Sequence, residues 1–220
     1  MEHVVNVVRK MIDWNKEKAA AFLAEPRVQK MIEECPENSI VADLGCFTGD
    51  ISLELVKKKN KVHAYDCNTE FVEMASKKGI PADVADFEYH IPAPDGAYDA
   101  IVAGELIEHI YRTEIFLEEC NRILVKGGKL IISTPNLAYL GHRVKAMFGI
   151  APGIMHYESG LNVKSPGHIR YFTLKTLTEL LQKYGFAVVE VRGSDIKGND
   201  FLGDMFPTLA YHLIIKAVKK

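Results

Sequence analysis

Cysteine is sparse and scattered in this chain of 220 residues: Cys35, Cys46, Cys67 and Cys120 form no CxxC pair and no cluster of ligand-like spacing. A disulfide scaffold or a structural zinc site is therefore not expected, and a reducing, cytoplasmic setting is the natural reading. No apolar run is long enough to span a bilayer. The opening Met1-Glu2-His3 lacks the basic start, apolar middle and small-residue cleavage site of a signal peptide. A surplus of positive charge is missing as well. With 27 Lys and Arg against 29 Asp and Glu the net charge is −2, which gives no reason to expect bulk nucleic-acid binding.

What remains is a soluble globular composition, 48% hydrophobic and 25% charged, of a length that suits one domain with a helical extension or a lid. Residues 4–35 are helical in composition, with Ala19–Leu23 set among Lys and Glu and a break at Pro26. This 1–38 extension reads either as a cover for the active-site mouth or as a structural helix pair. From residue 39 short apolar runs alternate with longer helical patterns, the signature of a parallel α/β sheet. Strands are expected at 39–43, 61–66, 82–85, 98–103, 129–133, 188–192 and 211–217. Helices are expected at 51–58, 70–78, 113–124 and 173–184, the last capped by Thr173 and closed by Gly185. Residues 136–167 break the pattern and are too long for an ordinary connection, so they read as a lid or substrate-binding insertion within a 39–220 domain.

The chemistry concentrates where strands end. Asp43-Leu44-Gly45-Cys46-Phe47-Thr48-Gly49 has the spacing DxGxxxG, not the GxGxxG that cradles a pyrophosphate. Gly45 and Gly49 supply freedom where the chain turns sharply or meets a ligand. Asp66 closes the second strand about 20 residues beyond the loop, the distance at which a carboxylate meets the hydroxyls of a ribose. An ionised acid there accepts two hydrogen bonds from the vicinal diol. Asp86, after the third strand, is placed to accept from an adenine amino group, with Phe87 beside the ring. Cys67 neighbours Asp66, and Ala103 and Gly104 end the fourth strand. These positions gather at the carboxyl ends of parallel strands, where open α/β sheets bind ligands.

The runs VADLGCFTGD, YDAIVAGELIEHI and LVKGGKLIISTPN resemble three motifs of the class I S-adenosylmethionine (SAM)-dependent methyltransferases, in the small-molecule group that includes the ubiquinone-biosynthesis O-methyltransferases. The resemblance covers residues 39–192. It implies a Rossmann-like, doubly wound sheet of seven strands, mostly parallel with the last antiparallel, and SAM as cofactor with S-adenosylhomocysteine as product. Asp43 would then orient the ammonium end of SAM, and the open backbone of Gly45, Cys46, Phe47 and Gly49 would serve its carboxylate. Phe47 stands where the family has a small residue, and either narrows the loop or stacks near the methionine chain. The (N/D)PP(Y/F) pattern of methyltransferases acting on nucleic-acid bases is absent after the fourth strand, where Gly104-Glu105-Leu106 stands instead. A small-molecule acceptor methylated at oxygen is the expected reaction, in a monomer or homodimer. An NAD(P)-dependent oxidoreductase and a non-catalytic SAM-binding or partner-binding module are the rival classes.

A hydroxyl acceptor must lose its proton, and histidine suits that task near neutral pH. Glu105, Glu108 and His109, if helical, share one face at i, i+3 and i+4. They read as a general base oriented by Glu108, as three ligands for a divalent metal, which the resemblance also allows, or as a structural histidine. His168, in Ser165-Pro166-Gly167-His168-Ile169-Arg170-Tyr171, is the second candidate base, with Arg170 placed to hold an anionic group. Alternatively that segment only anchors the insertion. Tyr139, Met147, Phe148, Met155, His156 and Tyr157 make the insertion apolar enough for a ring or a lipid-like tail, a core flap or a dimer contact. His142, Arg143 and Lys145 add a small basic cluster that could face a carboxylate, a phosphate or a membrane surface.

Overall fold

The computed structural model describes residues 14–152, 154, 167–195 and 200–220. Met155, His156, Tyr157, Ser165 and Pro166 lie outside the described residues. Two short helices lead in: α1 (Lys16–Leu23), capped by the Asn15 side chain on the Lys18 N–H, and α2 (Pro26–Glu34), with Pro26 in the first turn. Proline fits there because its missing N–H has no helical partner at that position.

Alternation then begins: β1 (Ile40–Leu44), α3 (Asp50–Lys57), β2 (Lys61–Asp66), α4 (Thr69–Lys77), β3 (Ala82–Val84) and β4 (Tyr98–Gly104). After it come α5 (Thr113–Ile123), β5 (Leu124–Pro135), α6 (Leu140–Met147), α7 (Leu174–Lys183), β6 (Phe186–Ser194), the short α8 (Asp200–Met205) and β7 (His212–Lys219). Thr173 caps α7 with a reciprocal bond from Thr176, and Gly185 follows at φ +85°, as the sequence signals require. β5 ends at Pro135 and β7 runs a little later than expected, both within the reach of pattern reading.

The seven strands form one sheet in the order β3-β2-β1-β4-β5-β7-β6, with β7 antiparallel to both of its neighbours and the other pairings parallel. The order reverses between β1 and β4, which opens a crevice at their carboxyl ends. Side chains alternate across the sheet. Ala42, Leu44, Ile101 and Ala103 join Phe116 and Leu117 of α5 and Leu177 and Leu181 of α7 in one core. On the other face Val41, Ala100 and Val102 pack with Met31, Leu55 and Ala75 of α2, α3 and α4. Lys30, 4% exposed, donates to the Gly193 carbonyl and pairs with Asp204, while Arg192 and Lys216 bind Glu33 and Glu34. These contacts fix α2 across β6 and β7 and set its N-terminus over the carboxyl edge of the sheet. Among the described residues no helix is long and apolar enough to cross a membrane.

Candidate functional site

The chain leaves β1 after Leu44, and Gly45 and Cys46 both donate their N–H to the Tyr65 carbonyl, which draws the loop over the end of β2. Phe47, at φ +50°, occupies the left-handed region that disfavours a bulky residue. Two contacts hold it there. Its N–H donates to Asp66 Oδ2 at 2.9 Å, and its ring sits edge-on to Phe71 and Trp14, with centroids 4.6 and 4.8 Å away. Phe47 thus closes the loop by aromatic packing.

Gly49, at φ +76°, caps the start of α3. A Cβ added there would lie 2.9 Å from the Cβ of Ala75, so this glycine serves the close approach of α4. A Cβ on Gly45 would meet Leu106. Asp50, in the first turn of α3, accepts from Thr48, Trp14 and Lys78, and these partners outweigh its burial to hold its carboxyl below the usual range. Sequence reading passed over Asp50 and Trp14, because one tryptophan before a helix carries no motif.

A cavity of about 290 Å³ lies at the crevice between β1 and β4. Asp43, Gly45, Cys46, Phe47, Asp66, Gly104, Glu105 and His109 line it, together with Phe22 and Arg27 from the leading helices. Burial pushes the Asp43 carboxyl up to about 6 against the bond donated by Ser52 Oγ at 2.5 Å, and the nearby Asp66 charge adds to the rise. Burial also raises Asp66, opposed by N–H groups of Asn68 and Phe47. Gly49, Cys67, Asp86, Phe87 and Ala103, also expected at the cofactor, are not among the residues that line this cavity. Ala103 is enclosed in the core, and Cys67 is exposed beside Asp66. Asp86 is exposed and caps its own turn through the Glu88 N–H. The Phe87 ring, expected beside the adenine, is buried and packs edge-on to Phe116.

The Glu105–His109 stretch is not the continuous helix that would put its acids on one face. Only Ile107–His109 forms a 3-10 turn, and Glu105 stands before it at φ +50°. The Glu105 carboxylate turns back to accept from Ser133 Oγ at 2.9 Å, with Oε2 lying 3.5 Å from His212 Nε2. The metal set of Glu105, Glu108 and His109 is therefore corrected. The residues brought together are Glu108, His109 and His168, with one ligand atom from each lying within 4.8 Å of the others. Glu108 is 1% exposed. Thr134 donates to its Oε2 at 3.0 Å, while its Oε1 has no hydrogen-bond partner among the described residues and lies 3.9 Å from His168 Nε2. Burial, reinforced by the Glu105 charge, raises Glu108 well above the ordinary range and so favours its neutral form. The His109 and His168 rings meet edge to face at 4.8 Å. The backbone N–H groups of Ile169 and Arg170 donate to the Glu108 carbonyl, which ties the 167–170 segment to the end of β4.

Other expected contacts are engaged in structure. The Arg170 guanidinium donates to the Tyr111 carbonyl and lies 5.7 Å from that ring. His142 is buried against Tyr139 and Tyr211, which lowers its pKa, and Arg143 clamps the Ala138 and Thr208 carbonyls. The basic cluster read from sequence is thus divided between core and surface.

This architecture has relatives. The family described as "Methyltransferase domain" matches residues 15–191. A probable tRNA methyltransferase 9B from Homo sapiens is 34% identical over 114 residues, which is 50% of this chain and 24% of that protein. A ubiquinone biosynthesis O-methyltransferase from Xanthomonas oryzae pv. oryzae is 28% identical over 139 residues, 60% of this chain and 55% of that protein. The chain thus spans from a quarter to about half of these curated relatives. A SAM-dependent methyltransferase from Methanosarcina mazei shares the fold with a TM-score of 0.67 at 19% identity, covering 88% of this chain and 97% of that one. So does the [4+2]-cyclase SpnF, with a TM-score of 0.62 at 17% identity, covering 87% and 80%. Strand order, glycine loop and family match agree: the chain belongs to the methyltransferase-domain family, within the class I SAM-dependent methyltransferases.

Proposed function

We propose that this protein transfers the methyl group of SAM to the hydroxyl oxygen of a small-molecule acceptor. The observation that carries the reading is the imidazole of His109, which lines the cavity that holds Asp43 and Asp66 and meets the His168 ring at 4.8 Å. Bound SAM supplies an electrophilic methyl on its sulfonium. Asp66 is suited to a ribose diol, since a carboxylate has about four lone-pair sites to offer beside the N–H groups it binds. Asp43 is suited to an ammonium and the Arg27 guanidinium to a carboxylate. Gly104 and Glu105 form the floor beside them.

Methyl transfer requires an acceptor lone pair held in line with the bond that breaks, so positioning supplies much of the rate. A hydroxyl must also lose its proton, and His109 or His168 takes it in this reading. A carboxyl oxygen of Glu108, 3.9 Å from His168 Nε2, is placed to accept from an N–H there, which leaves the other ring nitrogen to take a proton. The same three residues would hold a divalent cation only with Glu108 ionised, which its burial opposes. The O-methyltransferase relative and the balanced surface charge support the small-molecule reading.

The test is transfer of labelled methyl from SAM to a panel of phenols, amines and bulk tRNA. Label on phenolic oxygen is expected, and label only on tRNA or on nitrogen refutes the assignment. His109→Ala and His168→Ala should depress turnover, the acting base by about 10²–10⁴-fold, with SAM affinity little changed. Intact turnover in both variants removes the base role from each.

A further inference from the structure

A second cavity, of about 280 Å³, adjoins the first at the same edge of the sheet, above β7 and β6. Glu25, Pro26, Arg27, Ser194, Asp195 and His212 line it. Arg27 borders both cavities, and the Glu105–His212 contact at 3.5 Å joins a wall of the first to a wall of the second. We propose that this second cavity holds the non-reacting end of the acceptor, and that His212, positioned by Glu105, receives a hydrogen bond from an O–H or N–H of that end. The assignment rests on the methyltransferase reading above.

Three observations lead there. First, His212 Nδ1 is buried with no hydrogen-bond partner among the described residues, a costly arrangement unless a ligand completes it. Second, Glu105 faces the other ring nitrogen. An acceptor carboxylate beside Nε2 favours the tautomer with its proton there, which leaves a lone pair on Nδ1. Glu105 holds that position in a left-handed backbone conformation, with Ser133 Oγ donating to its other oxygen. Strain of this kind persists where surrounding contacts over-determine it, and it gathers at functional sites. Third, burial and the Arg27 charge depress His212 to about 3, so the ring is neutral across the working range and its lone pair stays available.

The lining also selects by charge. Arg27 is paired with Glu25 at 2.8 Å, so among the described lining residues Asp195 is the charge without an ion pair. Asp195 Oδ1 accepts from the Tyr211 N–H, which anchors the carboxylate at the rim. The cavity therefore suits a hydroxyl or an ammonium and disfavours an anion. Binding energy gathered on this remote end is available to orient the reacting hydroxyl in the first cavity.

The test uses the full chain saturated with S-adenosylhomocysteine and three probes of matched shape: benzyl alcohol, benzylamine and benzoate. Alcohol and amine are expected to bind, with benzoate at least ten-fold weaker. Each of the first two should shift the His212 Nδ1 resonance in ¹⁵N spectra of the wild-type protein. His212→Phe should weaken both about five- to ten-fold and leave S-adenosylhomocysteine affinity unchanged. Asp195→Asn should reduce benzylamine to the level of benzyl alcohol. Glu105→Gln should alter the His212 tautomer signal before any probe is added. Benzoate binding as well as the alcohol, or an unmoved Nδ1 resonance, overturns the inference whether or not the variants fold. S-adenosylhomocysteine binding without that shift removes this inference alone, whereas failure to bind S-adenosylhomocysteine removes the methyltransferase reading beneath it.

Discussion

Replacing Gly49 with alanine should destabilise the protein by about 3 kcal/mol through packing that involves no ligand. Alanine at φ +76° pays a left-handed penalty of roughly 1–2 kcal/mol. Its Cβ would also fall 2.9 Å from Ala75 Cβ and 3.1 Å from Ala75 Cα, backbone that cannot swing aside, an overpacking cost of roughly 1–3 kcal/mol. The gain from a stiffer unfolded chain, about 0.4–1 kcal/mol, offsets only part of this. For a chain of 220 residues the balance lowers the melting temperature by about 10 °C. Urea unfolding with S-adenosylhomocysteine absent should show a lower midpoint with an unchanged slope. Ala75→Gly should rescue part of the loss in a double-mutant cycle, because it removes one of the two clashing atoms. A Gly49→Ala variant within about 0.5 kcal/mol of wild type, or one showing no coupling to position 75, refutes the argument that this glycine exists for loop–helix packing.

Asp66→Ala should weaken SAM binding by at least ten-fold, since it removes a charged acceptor and frees the Phe47 and Asn68 N–H groups; calorimetry showing equal affinity refutes the diol role. Asp43, raised from 3.8 to about 6 in the folded protein, should make SAM affinity fall as pH drops through 6, because the neutral acid no longer attracts an ammonium. Unliganded stability has the opposite sign. A carboxyl raised on folding favours the folded state at low pH and loses that advantage as pH rises from 3.8 to 6, by about 3 kcal/mol. Comparing wild type with Asp43→Asn across that window isolates the term, and parallel pH profiles refute it. Glu108→Gln should fold with nearly wild-type stability, because burial disfavours the charged form of the native side chain; a loss beyond about 3 kcal/mol in urea unfolding would show a buried charge.

The sheet was legible in the sequence because parallel strands, buried on both faces, read as compact apolar runs between capped helices. The glycine loop and its cavity were legible because Asp43, Gly45 and Asp66 sit where backbone turns and strand ends dictate. Three features were not. The side chain of Phe87 belongs to the core, and alternation could not tell a ring facing a ligand from a ring facing α5. Glu105 breaks the helical spacing that joins it to Glu108 in sequence, and its left-handed backbone has no signature in a non-glycine residue. Arg27 and His212 lie far apart in the chain and near the two cavities only after α2 is docked on β7. His212 looked like an ordinary strand residue, and neither it nor Arg27 belongs to a local motif.

Helix α2 shows how so short an element shapes both cavities. Its nine residues make two and a half turns, so successive faces meet different partners. Val28 and Met31 are buried, and Met31 Sδ and Cε stand so close to Gly104 that a Cβ there would lie 2.9 Å from the methyl carbon. Lys30, Glu33 and Glu34 turn to β6, β7 and α8 and hold the helix at its far end. That leaves the first turn to face the sheet edge, and there Arg27 projects between the cavities. Its charge acts on both sides: it opposes protonation of Glu108 and disfavours protonation of His212. Since Gly104 floors the first cavity and touches Met31, a change that lifts α2 moves the floor and the dividing guanidinium together. The two cavities are therefore mechanically joined through one helix, and a substitution at the Lys30 anchor should disturb cofactor and acceptor affinity together.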